Sequence, residues 1–328
     1  KRDGIKMIIN KTKFITGLIL LMTVLLIIAG CGSSKAGLDS KGTIKIGYQK
    51  GNTINILKES GFLEEALEKE GYKVEWKLFT HGGTLLEGIY SKSIDFGHAA
   101  DGSGIFAQAS GKPLVYVGAD APNPEGVGLM VLKDSGIQSI EQLKDKKVGV
   151  LKGGNHHYLA VLALESVGLS AEDVQWIYPE DAAQGRSLFE TKEVDALASY
   201  DPFFAGIETE IETLTLTEDV EYGYPNRTFY YSTPDFSKDH PELVKTIIEA
   251  IDKSDQWANE NKDEVTKLLS KALGIDEPII ARAVERRTYG ATPITQEIID
   301  AQQKQADKYF EIGLIPRKLD VSKDMPIK

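Results

Sequence analysis

The fold of this chain is decided around its first strand, in the stretch Thr43-Ile44-Lys45-Ile46-Gly47-Tyr48-Gln49-Lys50-Gly51-Asn52. Ile44 and Ile46 alternate with polar residues, a pattern that predicts a β-strand ending at Gly47. Thr53 is predicted to cap a helix that follows directly. A helix that begins at the carboxyl end of a strand presents unpaired backbone N–H groups and the positive end of its dipole there. Such a turn suits an anion, and similar turns downstream strengthen this interpretation.

Similar strand-to-helix turns follow in the first half of the chain, at 80–84 and at 99–104. Three βα units in close succession predict a mainly parallel sheet that is covered by helices on both faces. A break with two prolines at 121–125 and a strand at 127–132 then indicate a crossing into a second lobe.

The βα pattern restarts in the second lobe, with polar turns at 152–157 and after a strand at 194–200. A strand at 227–232 is interpreted as the return to the first lobe, and helices are predicted from Pro241 onward. The sequence therefore predicts an α/β protein of two lobes. Its expected boundaries are 43–126 with 223–328 for lobe 1, and 127–222 for lobe 2.

The N-terminal region has the pattern of a secretion signal. Residues 14–30 carry no charge, and two lysines precede them. The run is short for a membrane span, although an uncleaved anchor is the alternative interpretation. It ends in small residues before Cys31, the only cysteine, and this resembles the lipobox of bacterial lipoproteins. We expect 1–30 to be a signal peptide, Cys31 to carry lipid, and 31–42 to be a flexible tether.

The acidic balance of the chain argues against nucleic acid as a partner. Its formal net charge is −11, and the basic first thirty residues leave the remainder more acidic still. A phosphate backbone would repel a body of this charge. We therefore expect no binding to nucleic acid.

Short motifs spaced along most of the chain after Cys31 match a known family in order. They include Ile46-Gly47-Tyr48-Gln49-Lys50-Gly51-Asn52, Asp95-Phe96-Gly97-His98, Pro113-Leu114-Val115-Tyr116-Val117-Gly118, Asp201-Pro202-Phe203, Asn226-Arg227-Thr228-Phe229-Tyr230 and Arg286-Arg287-Thr288-Tyr289-Gly290. On these motifs the chain resembles the substrate-binding lipoproteins of ABC importers for aliphatic sulfonates, within the nitrate/sulfonate/taurine group.

The resemblance implies a periplasmic-binding-protein-like fold of type II. Two α/β lobes would be joined by crossing strands, with a small anion held in the cleft between them. It also implies a monomer without a cofactor that docks on ABC permease subunits. The protein would work at the outer face of the bacterial cytoplasmic membrane, anchored by lipid, or in the periplasm.

This sequence departs from the family pattern at turns that are expected to face the cleft. Ala100-Asp101-Gly102-Ser103 stands where Gly-Asp-Ala-Pro is usual, and Tyr200 stands where the family has Trp. Gly154, Asn155 and an additional His156 replace small Ser and Ala residues. The segment 81–84 also differs from the family pattern. These turns bear on which ligand is bound.

The predicted ligand-binding residues all lie on polar turns at strand ends. They are Gln49, Asn52, Gly83, Thr84, Asp101, Gly153, Gly154, Asn155, His156, His157, Tyr200 and Asp201. Gln49 and Asn52 are expected to bond ligand oxygens, or to form a polar turn with a capping Asn. Gly83 and Thr84 present N–H groups or simply start a helix, and Asp101 faces the ligand or caps its helix.

In the second lobe, the turn 153–155 is the main candidate for anion binding. One of His156 and His157 is expected to donate to a ligand oxygen, with a packing role as the alternative. Adjacent side chains diverge, so we expect no metal site. Tyr200 is expected to cover the ligand, and Asp201 to fix its turn.

Three arginines have interpretations that remain open. Arg227 pairs with the anion or forms a salt bridge between the lobes, and the salt bridge is favoured. Arg286 and Arg287 are expected to offset a helix dipole rather than to bind the ligand.

Two classes of function are consistent with these residues. The favoured one is a non-catalytic binding protein that delivers a sulfonate to a permease. Alternatives are a binding protein for nitrate, taurine or a pyrimidine, and an enzyme of the same fold that makes a thiamine precursor. The enzyme would use a histidine and a Cys-rich stretch, whereas this chain has a single cysteine and an export signal.

Overall fold

We analysed a computed structural model that describes residues 41–217 and 222–327. The predicted signal peptide 1–30, Cys31 and the tether up to residue 40 lie outside these described residues. Within the described ranges, no helix has both the length and the apolar character that a membrane span requires.

Eleven strands in the described chain form two sheets. They are β1 (Gly42–Tyr48), β2 (Tyr72–Leu78), β3 (Phe96–Ala100), β4 (Val115–Asp120), β5 (Val127–Leu132), β6 (Lys147–Gly149), β7 (Gln175–Ile177), β8 (Ala196–Tyr200), β9 (Thr213–Thr215), β10 (Thr228–Ser232) and β11 (Ala291–Thr292). The first sheet has the order β11-β4-β10-β3-β1-β2, and the second has the order β7-β6-β8-β5-β9.

The described helices cover these sheets and extend from the first one. They are α1 (Thr53–Ser60), α2 (Phe62–Lys69), α3 (Gly82–Tyr90), α4 (Asp101–Ala109), α5 (Asn155–Ser166), α6 (Ala182–Glu190), α7 (Phe203–Glu210), α8 (Pro234–Asp239), α9 (Pro241–Glu260), α10 (Lys262–Leu273), α11 (Glu277–Glu285) and α12 (Gln296–Glu311). Gly61, with φ of 74°, separates α1 from α2 because a left-handed residue ends the first helix.

Each sheet has a hydrophobic core on both faces, as the alternation of side chains along a strand requires. In β10, Phe229 and Tyr231 pack in one core with residues of α3, α4 and α12. Tyr230, between them, packs in the other core with residues of α1, α2 and α9. The second sheet repeats the arrangement, since Leu129 faces α5 and Met130 faces α6 and α7. These layers fix the carboxyl ends of the strands, where the site forms.

The predicted mainly parallel sheets are confirmed, since most strands of each sheet point the same way, although both sheets are mixed. β1 is parallel to β2 and β3, and β6 is parallel to β7 and β8. However, β10 is antiparallel to β3 and β4, and β5 is antiparallel to β8 and β9. β5 and β10, which run against their neighbours, each enter a sheet after the chain has crossed from the other one. The short β11 is also antiparallel to its neighbour β4.

Two of the predicted helix starts are corrected. Asn52, not Thr53, occupies the N-cap position of α1. The hydroxyl of Thr53 instead donates to Asp120 Oδ2 at 3.1 Å. Asp101 is the first residue of α4, and Ala100 is its N-cap. Thr53 and Asp101 do not cap these helices because their side chains bond buried partners elsewhere in the fold, Asp120 and Tyr224.

Candidate functional site

A cleft of about 1050 Å³ lies where strand ends of the two sheets meet. Its lining includes nine of the twelve predicted residues, namely Gln49, Asn52, Gly83, Gly153, Gly154, Asn155, His156, Tyr200 and Asp201. The segments after β1 and β3 contribute one wall. The segments after β6 and β8 contribute the other.

Helix N-termini surround this cleft from both sides. The N-cap residues of five helices line it: Asn52 (α1), His81 (α3), Ala100 (α4), Gly154 (α5) and Asp181 (α6). In the described chain, α1, α4 and α5 have no side-chain cap. The leading N–H groups of α1 and α5, together with the helix dipoles, favour an anion in the cleft. Those of α4 are already used, since Asp101 N–H donates to the carbonyl of Arg227 and Gly102 N–H donates to Asp101 Oδ1.

On the first wall, Gln49 and Asn52 are organised by His98. The backbone N–H of Gln49 donates to His98 Nε2 at 3.2 Å, and the side-chain amide of Gln49 donates to the carbonyl of His98 at 2.9 Å. The amide of Asn52 lies 3.3 Å from His98 Nδ1. Burial, together with the nearby charge of Arg287, lowers the pKa of His98 to about 3, so the ring is neutral.

On the second wall, His156 holds Asn155 in a similar way. The backbone N–H of Leu151 donates to His156 Nε2 at 3.2 Å, and His156 Nδ1 lies 3.0 Å from Asn155 Oδ1. Asn155 Nδ2 donates to Asn226 Oδ1 at 2.7 Å, which links the second lobe to the segment that leads into β10. Burial lowers the pKa of His156 to about 3, so this ring is also neutral.

The structure resolves which of the adjacent histidines lines the cleft. His156 does, and its ring stacks on Tyr200 with 5.0 Å between centroids. His157 points away into a cluster with Trp176 and Tyr178, and its Nδ1 accepts from the backbone N–H of Gly153 at 3.0 Å. Its prediction as a ligand-binding residue is therefore corrected to a role in holding the 153–155 turn.

Thr84 and Asp101 also lie away from the cleft lining. The hydroxyl of Thr84 donates to the carbonyl of His81 at 2.8 Å, so it serves the first turn of α3. Asp101 accepts from the backbone N–H of Gly102 at 2.6 Å and from the hydroxyl of Tyr224 at 2.6 Å. Burial raises the pKa of Asp101 to about 6. Both side chains are used by internal bonds rather than offered to a ligand.

Asp201 and Tyr200 end β8 at the edge of the cleft. The backbone N–H of Ala205 donates to Asp201 Oδ1 at 3.2 Å, which fits the prediction that Asp201 fixes its turn. Burial raises the pKa of Tyr200 to about 12, so its hydroxyl stays protonated at neutral pH. Its ring packs against Phe203 with 5.4 Å between centroids.

The arginines do not have the roles that were expected. Arg227 donates to the backbone carbonyl of Asp120 at 2.8 Å, within the first lobe, rather than bridging the lobes. Arg286 makes the bridge instead, since it pairs with Asp201 at 2.6 Å. Arg287 lines the cleft and pairs with Asp120 at 2.6 Å. The dipole interpretation of Arg286 and Arg287 is therefore replaced by buried ion pairs.

Sequence reasoning missed several residues that line the cleft: His98, Asn123, Lys152, Asn226, Arg287 and Phe106. A signal was present for His98, because the sequence pattern predicts that a short apolar strand ends at this residue, although β3 extends to Ala100 in the structure. Asn226 has φ of 48°, a conformation that Asn tolerates better than most residues, but no spacing in the sequence indicates it. Among the described residues, no group of three or more potential metal ligands is found.

The fold and site together define a class, the two-lobed ligand-binding proteins with a cleft suited to an anion. Comparison with known proteins then gives the family. Residues 58–265 match the model of the NMT1/THI5-like family, and the chain belongs to this family.

Two relatives and a solved structure are similar over most of the chain. A protein of Bacillus subtilis (strain 168), assigned as an aliphatic sulfonates-binding protein, is 33% identical and covers 93% of this chain and 92% of its own. A protein of Escherichia coli (strain K12) with the same assignment is 31% identical, and the match covers 85% of this chain and 86% of that protein. The alkanesulfonate-binding protein SsuA from Xanthomonas axonopodis pv. citri, bound to MOPS, is 27% identical with a TM-score of 0.81, and the match covers 87% of this chain and 98% of that one. The predicted resemblance and the two-lobed α/β fold are confirmed, and these relatives are binding proteins rather than enzymes.

Proposed function

We propose that this protein is the extracytoplasmic substrate-binding lipoprotein of an ABC importer and captures aliphatic sulfonates in its cleft. The observation that carries the proposal is the convergence of five helix N-termini on the cleft. Two of them, α1 and α5, have no side-chain cap and leave their leading N–H groups without a partner in the described chain. Neutral donors of this kind bind an anion without a full counter-charge. The sulfonate-binding assignments of the relatives support the same ligand class.

The remainder of the cleft suits the carbon chain of such a ligand. Phe79, Tyr90 and Phe106 line it beside the exposed Leu78. A volume of about 1050 Å³ exceeds what a methanesulfonate needs, so longer or substituted sulfonates are expected to fit. The aromatic side chains would contribute by removing apolar ligand surface from water.

Partners and location follow from the same function. The protein would deliver its ligand to permease subunits as a monomer, held at the outer face of the bacterial cytoplasmic membrane by lipid on Cys31, or act in the periplasm. An enzyme of this fold would need a reactive group in the cleft. Cys31 is the only cysteine of the chain, and it is the proposed lipid site. His98 and His156 are neutral and already bonded through both ring nitrogens.

A thermal-shift screen tests the proposal. The ligands would be alkanesulfonates of increasing length, taurine, nitrate, and the pyrimidine precursor of thiamine. A ligand at 100 times its Kd stabilises the folded protein by about 2.7 kcal/mol and raises Tm accordingly. We expect alkanesulfonates to give the largest shift and to be recovered unchanged after incubation. Stabilisation by pyrimidines alone, or turnover of the ligand, would contradict the proposal.

A further inference from the structure

The two walls of the cleft contain the same arrangement of a histidine and an asparagine. His98 and His156 each accept a backbone N–H at Nε2, from Gln49 and from Leu151, both at 3.2 Å. In each case Nδ1 faces the side-chain amide of an asparagine, Asn52 or Asn155. The bonds of His156 and Asn155 can therefore be used to interpret those of His98 and Asn52.

The protonation of both rings follows from these contacts. A neutral imidazole carries one N–H, and a nitrogen that accepts a hydrogen bond cannot hold it. Since Nε2 accepts in both rings, the proton is on Nδ1. In the second lobe this proton is donated to Asn155 Oδ1 at 3.0 Å, and the NH₂ of Asn155 then donates to Asn226.

The same chemistry fixes the orientation of Asn52. The protonated Nδ1 of His98 requires the amide oxygen of Asn52 as its acceptor, because an NH₂ group there would oppose one donor with another. In the described chain, Asn52 Oδ1 is buried and finds no partner when the NH₂ faces His98. Turning the amide by half a rotation satisfies the oxygen and places the NH₂ group in the buried position that Oδ1 held, where the described chain offers it no partner, at a residue that lines the cleft.

Asn52 is also the N-cap residue of α1. An asparagine at this position ordinarily accepts from the N–H groups of the first turn. Within the described residues, Asn52 makes no such bond, because its side chain is turned to His98. In the described chain the N–H groups of Thr53 and Ile54 therefore stay available, whereas that of Asn55 donates to the carbonyl of Asn52 at 2.9 Å. The missing cap would stabilise a helix by about 1 kcal/mol in other proteins.

We propose that His98 is a positioning residue for anion recognition. Fixed as its Nδ1–H tautomer by the backbone N–H of Gln49, it holds the oxygen of Asn52 and presents the Asn52 NH₂, together with the uncapped N–H groups of α1, to the ligand. The second lobe differs because the corresponding NH₂ of Asn155 is used by Asn226. The inference rests on the proposed sulfonate-binding function and deepens it. It identifies His98 as the residue that determines which hydrogen-bond donors the first wall offers to the ligand.

The tautomer is tested first, on the full chain purified in detergent and free of ligand. Long-range ¹H–¹⁵N spectra of the histidine rings distinguish a protonated from an unprotonated nitrogen. We expect His98 to carry its proton on Nδ1, and the side-chain NH₂ signal of Asn52 to shift when 1-butanesulfonate is added. A proton on Nε2, or an Asn52 signal that does not move on binding, would overturn the inference.

Two variants test the positioning role by titration calorimetry with 1-butanesulfonate. Asparagine places an amide near the position of Nδ1, whereas glutamine reaches the position of Nε2. We expect His98→Gln to bind roughly tenfold to a hundredfold more weakly, as for loss of a hydrogen bond to a charged group, and His98→Asn to recover most of this affinity. His240→Gln, at a half-exposed histidine before α9, is the control and keeps wild-type affinity.

The outcomes separate the inference from the function on which it rests. If wild-type protein does not bind 1-butanesulfonate, the proposed function is contradicted, and the ring spectrum still decides the tautomer. If wild type binds and both His98 variants lose affinity equally, in proportion to a lower Tm, His98 is only structural and the inference is wrong.

Discussion

Asp201 and Arg286 form a bidentate ion pair that ties the second sheet to the helices of the first. Arg286 Nη2 donates to Asp201 Oδ1 at 2.6 Å, and Nε donates to Oδ2 at 2.8 Å. Glu208 of α7 accepts from Nη1 of the same guanidinium at 3.0 Å. The three side chains are only 9–11% exposed. Since Asp201 also lines the cleft, this pair couples the contact between the lobes to the site.

Arg286→Ala is expected to destabilise the protein. The change leaves the nearly buried carboxylates of Asp201 and Glu208 without this guanidinium. Removing one partner of a buried ion pair costs about 3–5 kcal/mol. Urea denaturation would measure the loss, and calorimetry would show whether sulfonate affinity falls with it. Lys69→Ala is the control. It removes the surface ion pair of Lys69 with Glu65, whose side chains are 71% and 55% exposed, and is expected to change stability by less than about 1 kcal/mol. Equal stability of Arg286→Ala and the control would rule out this role.

Close contact between Gly102 and Gly153 gives a second prediction. A Cβ on Gly102 would lie 2.0 Å from the carbonyl oxygen of Gly153, so α4 and the second-lobe turn touch through backbone. We expect Gly102→Ala to push the walls apart and weaken sulfonate binding by about tenfold or more, a change measured by calorimetry.

Gly206→Ala is the matched control for Gly102→Ala. Gly206 also lies within a helix, but its added Cβ would meet no atom closer than 3.7 Å. Alanine is the better helix former by about 1 kcal/mol, so Gly206→Ala is expected to stabilise the protein and to leave affinity unchanged. Unimpaired binding by Gly102→Ala would show that the walls tolerate the added methyl group.

The strands, most helices and the cleft turns could be predicted because they depend on local patterns. Period-two alternation around Ile46 and the glycines at strand ends are visible in the sequence. The same reasoning located nine of the twelve predicted residues on the cleft. It did not place Thr84, Asp101 and His157 correctly because their side chains make internal bonds instead. Thr84 and His157 bond backbone groups of His81 and Gly153 within their own turns, and Asp101 bonds Tyr224, which is remote in sequence.

Long-range partners also explain the arginines and the strand directions. Nothing near Arg286 in the sequence indicates Asp201, which lies 85 residues earlier. Likewise the antiparallel pairing of β10 with β3 depends on how the chain returns from the second lobe, and a period-two pattern is the same in either direction. Local sequence therefore predicted which residues reach the strand ends better than it predicted which partners they meet there.

Cys31 provides a prediction about the undescribed N-terminal region. If residues 1–30 are a signal peptide and Cys31 is the lipid site, Cys31→Ser should leave the precursor uncleaved and unlipidated. Metabolic labelling with an alkyne fatty acid, followed by mass measurement, would detect both changes. Ser33→Ala, two residues further on, is the control and should be processed normally. Normal cleavage and labelling of Cys31→Ser would remove the lipoprotein assignment.

Asp255 on α9 gives a pH-dependent prediction, because it is a buried carboxyl beside another. In the described structure neither of its oxygens has a hydrogen-bond partner. Burial and the charge of Asp120 raise its pKa from 3.8 to about 9, although Arg287 opposes the shift. Between these pH values the folded protein keeps a proton that the unfolded chain releases. Linkage then makes this group lower the stability as pH rises from about 4 to about 9.

Asp255→Asn removes this dependence without changing the size of the side chain. We expect the stability of wild type, relative to the variant, to fall with rising pH by up to ~1.4 kcal/mol per pH unit, the limit for one proton. Urea denaturation at a series of pH values measures this difference. Glu249→Gln, on the exposed side of the same helix, controls for the loss of one negative charge. Parallel stability curves for wild type and Asp255→Asn would show that Asp255 ionises in the folded protein as it does in the unfolded chain, so that Arg287 fully offsets its burial.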